Sequence, residues 1–372
     1  MKKKAILSGL SLFSGAGGMD LGFIRAGINV VCANELNKDA CDTYQANHPD
    51  IVVKQGDICE FLDDISFFKG IDVVFGGPPC QGFSVAGKMN PDDPRNRLLW
   101  KFMNVVEKTK PRAFVCENVK ALAKFDKWSS VRMRLFKIAK KLGYSHKLVL
   151  LNAADFGVPQ SRERMFLIGF RNIHDVSNLE QQFEIRKKKP LTVRDILFPL
   201  GLAGSKNNNR VCNAKVTMAA KPVLRRSPYA GMMFNGQGRP LNPNGYSCAL
   251  HASMGGNKTP IIDEEHCYFN EDSWVESYHS HLMKGGQPLP LDSAPKRLRR
   301  LTVDEALRLQ TFPNNYKFVG KKSSIYKQIG NAVPCILAEV VADVVKDCLM
   351  KEKVSIPVRY SEPKSKQLRL FI

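Results

Sequence analysis

The chain has 372 residues, enough for one large hydrophobic core and a second module rather than one compact domain. Hydrophobic residues make up 44% and charged residues 24%, which excludes a disordered chain, and no apolar run reaches the roughly 18 residues of a membrane span. Lys and Arg total 56 against 35 Asp and Glu, a net charge of +21, so nucleic acid is the first partner to weigh, with a solvated basic surface as the bland alternative.

At the N-terminus three lysines precede AILSGLSLF, a superficial likeness to a secretion signal. Gly9 and Ser11 interrupt the apolar stretch and no small-residue cleavage site follows, so a cytoplasmic protein is expected. The ten cysteines never stand at C-x-x-C spacing, so neither a zinc ribbon nor a redox dithiol is expected, and no metal site.

Short β-rich apolar runs at 5–13, 29–33, 51–54, 71–75, 113–116, 146–151 and 165–170 alternate with longer mixed segments. That alternation predicts an α/β domain with a largely parallel, helix-covered sheet. Ligands of such sheets sit at the carboxyl ends of the strands, so residues just after each run deserve chemical scrutiny.

After the first run comes LFSGAGGMD, whose Gly15, Gly17 and Gly18 would let backbone approach a ligand closely. Asp20 stands where a dinucleotide fingerprint needs its last glycine, which disfavours an NAD-dependent oxidoreductase. Glu35, ending the second run, can accept ribose hydroxyl hydrogen bonds, and Asp57, after the third, can accept from an adenine amine. Each alone is more often a helix cap or surface acid. Together they describe an adenosyl site without a phosphate grip, which suits S-adenosylmethionine better than NAD.

The fourth run leads into GGPPCQGFSVAGK, 76–88, where two prolines present Cys80 at a strand end. A cysteine on such a loop over a cofactor crevice is a candidate nucleophile. The fifth run ends in Glu117, a candidate proton donor, with Cys116 pointing the opposite way into the core. Beyond Arg171 the chain turns rich in Lys, Asn, Gly and Pro, which predicts a loop-rich second domain over 190–298. Helical periodicity returns with TVDEALRLQTF and again after Tyr326, so 1–189 and 299–350 are expected to form one discontinuous domain, followed by a surface tail at 351–372.

FSGAGG, PPCQGFS, ENV at 117–119, QSRER at 160–164 and GNAVP at 330–334 occur in that order. With them the chain resembles the DNA cytosine-C5 methyltransferase family of the prokaryotic restriction-modification type, over about 10–171 and 299–345. The resemblance implies a Rossmann-like class I S-adenosylmethionine-dependent methyltransferase domain with a smaller loop-rich target-recognition domain. It implies that Cys80 attacks C6 of a cytosine flipped out of duplex DNA, that Glu117 holds and protonates N3, and that Arg162 and Arg164 lie beside the flipped nucleotide. The donor site is expected to comprise Phe13, Gly15, Ala16, Gly17, Gly18, Glu35, Leu36, Asp57, Ile58, Pro79 and Asn331. Leu36 stands where relatives often carry a Trp that stacks on adenine.

Gln81, Ser84 and Lys88 are expected on a loop that closes over DNA. Arg225, Arg226, Asn235, Gln237, Arg239 and Lys258, in the second domain, carry groups suited to base edges or phosphates. The implied partners are double-stranded DNA and a cognate restriction endonuclease that forms no stable complex; a monomer without membrane attachment is expected. Two rivals remain: a tRNA cytosine-C5 methyltransferase, whose Cys-Phe-Thr element is missing here, and a catalytically silent DNA-binding relative, which would be expected to have lost a motif residue.

Overall fold

The computed structural model describes residues 6–62, 65–79 and 97–351. The chain divides into two compact units, one of 1–152, 163–187 and 335–372, the other of 153–162 and 188–334.

The first unit opens with β1 (Leu7–Leu12), α1 (Gly18–Arg25), β2 (Ile28–Glu35), α2 (Lys38–Asn47), β3 (Val52–Gln55) and α3 (Ile58–Phe61). It continues through β4 (Val73–Gly76), α4 (Arg97–Thr109), β5 (Ala113–Val119), α5 (Lys120–Lys124), α6 (Ser129–Lys141) and β6 (Ser145–Asn152). After β7 (Gln160–Ser161), which belongs to the second unit, come β8 (Glu163–Phe170) and α7 (Leu179–Glu184). The sheet has seven strands in the order β3-β2-β1-β4-β5-β8-β6. β1 to β5 run parallel and β8 is antiparallel to both β5 and β6, so each of the seven apolar runs is a strand of one sheet.

One core holds Leu10, Leu12, Cys32, Val74, Phe114, Cys116 and Leu167 from the sheet together with Phe61, Phe102 and Leu135 from helices. Alternate strand residues face the opposite way. There Phe23 of α1 stacks on Phe75 of β4 with ring centroids 3.9 Å apart. α1 also lies against the last helix of this unit, and Gly22 permits the contact: a Cβ there would stand 2.4 Å from Glu339 N.

The second unit contains α8 (Val193–Leu197), β9 (Met218–Val223), β10 (Met232–Phe234), β11 (Ser247–Cys248), β12 (Ile261–Asp263), α9 (Glu264–Phe269) and α10 (Trp274–Met283). β13 (Leu298–Arg300), α11 (Val303–Leu309) and α12 (Lys322–Asn331) complete it, and α13 (Cys335–Lys351) returns the chain to the first unit. Its strands pair only in twos: β9 with β10, β7 with β11, β12 with β13. Met218, Met233, Phe234, Ile261, Val275, Tyr278, Leu282 and Leu298 form its own core.

The division differs from expectation in two places: residues 153–162 belong to the second unit, and the return to the first comes later than expected. The helices at 303–309 and 322–331 lie in the second unit, and the return comes at Cys335 rather than near 299. Among the ties that hold α11 there, beside its buried apolar residues, is a buried carboxylate. Glu305, fully buried, accepts from both terminal nitrogens of Arg299, from Asn208 Nδ2 and from Tyr268 Oη. Burial alone would raise its pKa, but Arg299 and these donors hold it below the usual range.

Candidate active site

The glycine loop follows β1 because its backbone leaves the range ordinary residues prefer. Phe13, Gly15 and Gly17 have φ of 54°, 55° and 81°. Gly17 N–H donates to Ser14 O, Gly17 caps α1, and Ala16 and Gly18 are buried beside it. Among the described residues a Cβ on Gly15 would meet nothing within 4 Å, so they leave space over the loop at that point.

Glu35, the last residue of β2, accepts from Gly15 N–H at 2.9 Å through Oε2 and from Asn37 N–H at 2.8 Å through Oε1. Each carboxylate oxygen keeps lone pairs for a further donor. Its backbone carbonyl accepts from Gly56 N–H at 3.0 Å. Asp57 caps α3 by accepting from Cys59 N–H at 2.7 Å, and this backbone donor holds its carboxyl below the usual range. Leu36 is 67% exposed beside these groups, whereas the Ile58 side chain belongs to the core and can offer a ligand only backbone.

These residues fit an adenosine better than a diphosphate. The loop from Leu12 to Asp20 carries no basic side chain, and the groups at the strand ends are carboxylates matched to hydroxyl and amine donors.

At the end of β4, Gly76 lies so close to β1 that a Cβ would sit 2.0 Å from Leu12 O. Gly77 lies under the Glu117 carboxylate: a Cβ there would stand 2.6 Å from Oε2. Glu117 is opposite Phe166 on β8, with Arg164 diagonal to it on the same face. Arg164 Nε stands 2.9 Å from Glu117 Oε1, both side chains being largely buried. Cys116 is fully buried in the core, as strand alternation requires.

Asn118, 1% exposed, donates through Nδ2 to Pro78 O at 3.2 Å. The acid-bearing strand thereby holds the Pro78–Pro79 turn, Pro79 being half-buried. Sequence reasoning assigned Asn118 no role, though a buried polar residue beside a strand-end acid is the kind of signal that could have exposed it. Cys80, Gln81, Ser84 and Lys88 lie outside the described residues.

In the second unit Arg162 is 2% exposed, with Nη1 donating to Leu250 O at 2.8 Å and Nη2 to Gly330 O at 2.9 Å. Its guanidinium is turned into its own unit, while Arg164 meets Glu117 in the other. Beside it, fully buried Gln160 donates to Gln310 Oε1 and accepts from Leu250 N–H, and Gln310 Nε2 donates to Ile329 O and Ala332 O. Two polar side chains, Arg162 and Gln310, thus clamp the GNAVP segment, with Gln160 bracing Gln310, and Asn331 is exposed at the helix end.

Gln237, Arg239 and Lys258 are exposed on two adjacent loops bridged by the bond from Gly238 N–H to Asn257 O. Buried Arg300 braces them from behind, donating to Thr259 O and Asn235 O. Arg225 and Arg226 are also exposed. Asn235 differs: its side-chain nitrogen donates to Thr217 Oγ1 and Met218 O, which engages it inside the unit.

A profile of the C-5 cytosine-specific DNA methylase family matches residues 7–347. Among curated relatives, Type II methyltransferase M1.HphI of Haemophilus parahaemolyticus is 35% identical over 350 residues, covering 91% of this chain and 86% of that protein. Type II methyltransferase M.FnuDI of Fusobacterium nucleatum is 32% identical over 362 residues, covering 94% and 97%. Among solved structures, the S. pombe Dnmt2 methyltransferase superposes with a TM-score of 0.64 at 19% identity, covering 92% of this chain and 99% of that one, a likeness of fold alone.

Proposed function

Because the chain belongs to the C-5 cytosine-specific DNA methylase family, as a DNA cytosine-C5 methyltransferase of the Type II restriction-modification kind, we propose how its residues perform that reaction. S-adenosylmethionine is the donor; bound over the glycine loop, it supplies an electrophilic methyl group. Gly15 leaves room for it, Glu35 accepts its ribose hydroxyls and Asp57 its adenine amine, with Leu36 as an apolar neighbour.

Cytosine C5 is a poor nucleophile until a group adds at C6. The Cys80 thiolate makes that bond while Glu117 protonates N3, so the ring becomes an enamine whose C5 would be nucleophilic enough to take a methyl group from bound S-adenosylmethionine, which would leave as S-adenosylhomocysteine. Loss of the C5 proton, return of the N3 proton to Glu117 and expulsion of the thiolate restore the aromatic ring. The observation that carries this assignment is the Glu117–Arg164 pair. It stands at the carboxyl end of β5 over Gly77, three residues before Cys80, and β5 itself holds the Pro78 carbonyl. Arg164 orients the carboxyl, and Arg162 positions the GNAVP segment rather than meeting substrate.

The substrate is a cytosine flipped out of duplex DNA, which costs a few kcal/mol of unstacking offset by contacts in the pocket. Gln237, Arg239 and Lys258 are the recognition groups. The protein acts as a cytoplasmic monomer, and a cognate endonuclease shares its sequence without forming a stable complex.

Trapping tests the nucleophile. On duplex DNA carrying 5-fluorocytosine, the fluorine cannot leave as a cation, so the adduct persists. With S-adenosylmethionine present, the wild type is expected to form a denaturation-resistant complex and Cys80→Ser none. An equally stable complex from Cys80→Ser would exclude the assignment.

A further inference from the structure

We infer that Asn34 is a positioning residue that sets the geometry of the whole donor site, an inference resting on the assignment of S-adenosylmethionine to that site. Asn34 is the penultimate residue of β2 and 2% exposed, although a buried amide is costly unless its hydrogen bonds are made. Its Nδ2 donates to Lys54 O at 3.0 Å and to Gly56 O at 3.2 Å, so two acceptors fix which end of the amide faces them. Its own carbonyl accepts from Ser14 N–H at 3.1 Å and from Ser14 Oγ at 3.4 Å.

Three segments that frame the donor site therefore hang on one residue: the turn before Asp57, the start of the glycine loop, and Glu35 next in sequence. The bond to Gly56 O is the one that reaches past the end of β3. β3 is an edge strand that ends at Gln55, and beyond it the Asn34 side chain and the bond from Gly56 N–H to Glu35 O are the hydrogen bonds that tie the turn to β2 among the described residues. Were the side-chain tie lost, the single backbone bond from Gly56 N–H to Glu35 O would remain, Asp57 and Glu35 would be held less firmly at their separation, and a ligand spanning both would have to order them on binding. Asn34 need not touch the ligand to control its affinity.

Calorimetric titration with S-adenosylhomocysteine tests this on the full chain, with Asn34→Asp, which keeps the shape but faces both carbonyls with an acceptor, and Asn34→Ala. Both variants are expected to bind about tenfold or more weakly, consistent with losing a pair of buried hydrogen bonds. Steady-state methylation should show the matching split: the KM for S-adenosylmethionine rises while kcat at saturating donor and the KM for DNA stay near wild type. Unchanged affinity in a folded variant, or a fall in kcat without a change in donor KM, would overturn the inference. Loss of the fold in both variants would overturn it too, because Asn34 would then support the sheet rather than the site. If the wild type itself fails to bind S-adenosylhomocysteine, the cofactor assignment fails instead.

Discussion

Single residues carry the chemistry here, and their surroundings make sharp demands. The Glu117 carboxylate occupies the volume that any side chain at position 77 would need, 2.6 Å from the Cβ position. Because the obstructed group is the far end of a flexible side chain, Gly77→Ala should fold with little loss of thermal stability yet displace the carboxyl. A fall in kcat of about 10²-fold or more is expected, the usual scale of a misplaced general acid, with donor affinity retained. Single-turnover methylation beside a melting curve checks both halves. Asp20 offers a second test, through pH. Burial lifts its carboxyl from the ordinary 3.8 to about 6, and Tyr44 Oη donates to Oδ1 at 2.8 Å. A raised carboxyl stabilises the folded state fully below its unfolded pKa, and that contribution is lost as pH rises through the folded one. Measured by urea unfolding, the stability of Asp20→Asn relative to wild type should grow by up to about 3 kcal/mol across that interval and then stay level; a flat difference would contradict the shift.

Elements explain why the site is built where it is. β5 brings Glu117 to the crevice, buries Cys116 in the core and ties down Pro78 through Asn118, so three successive residues do three different things. This much was legible, because parallel strands read as apolar runs and the residue after each run lies at the ligand-binding end. What escaped sequence reasoning were the amides: Asn34, Asn118, Gln160 and Gln310 act by bonding to backbone carbonyls distant in sequence, which no local pattern records. Arg162 illustrates the same limit. Alternation could not reveal that its guanidinium turns to Leu250 and Gly330. Gln310 should therefore matter for stability more than for chemistry. Gln310→Ala removes the side-chain donor from Ile329 O and Ala332 O, of which Ile329 O keeps a bond from Ala332 N–H, and should cost about 1–3 kcal/mol in denaturant unfolding. A variant as stable as wild type would contradict the clamp.

At the scale of the molecule, the chain leaves the first unit after Asn152, returns for β8, leaves again and returns at Cys335. The periodicity of 303–309 announced a helix but not which core it would join; in the second unit buried Glu305 is bound by Arg299, Asn208 and Tyr268, partners distant or irregular in sequence. The net charge of +21 belongs to this scale as well. Binding to duplex DNA should weaken steeply and linearly on a log-log plot as salt rises, and Arg239→Ala should reduce that slope by about one if it meets a phosphate. The measurement that tests the central claim most directly is bisulfite sequencing of plasmid DNA from an expressing host without cytosine methylation of its own, beside the Cys80→Ser variant. Protected cytosines confined to one short recurring sequence, and absent with the variant, are the predicted result; no protection with the wild type, or equal protection with Cys80→Ser, would contradict it.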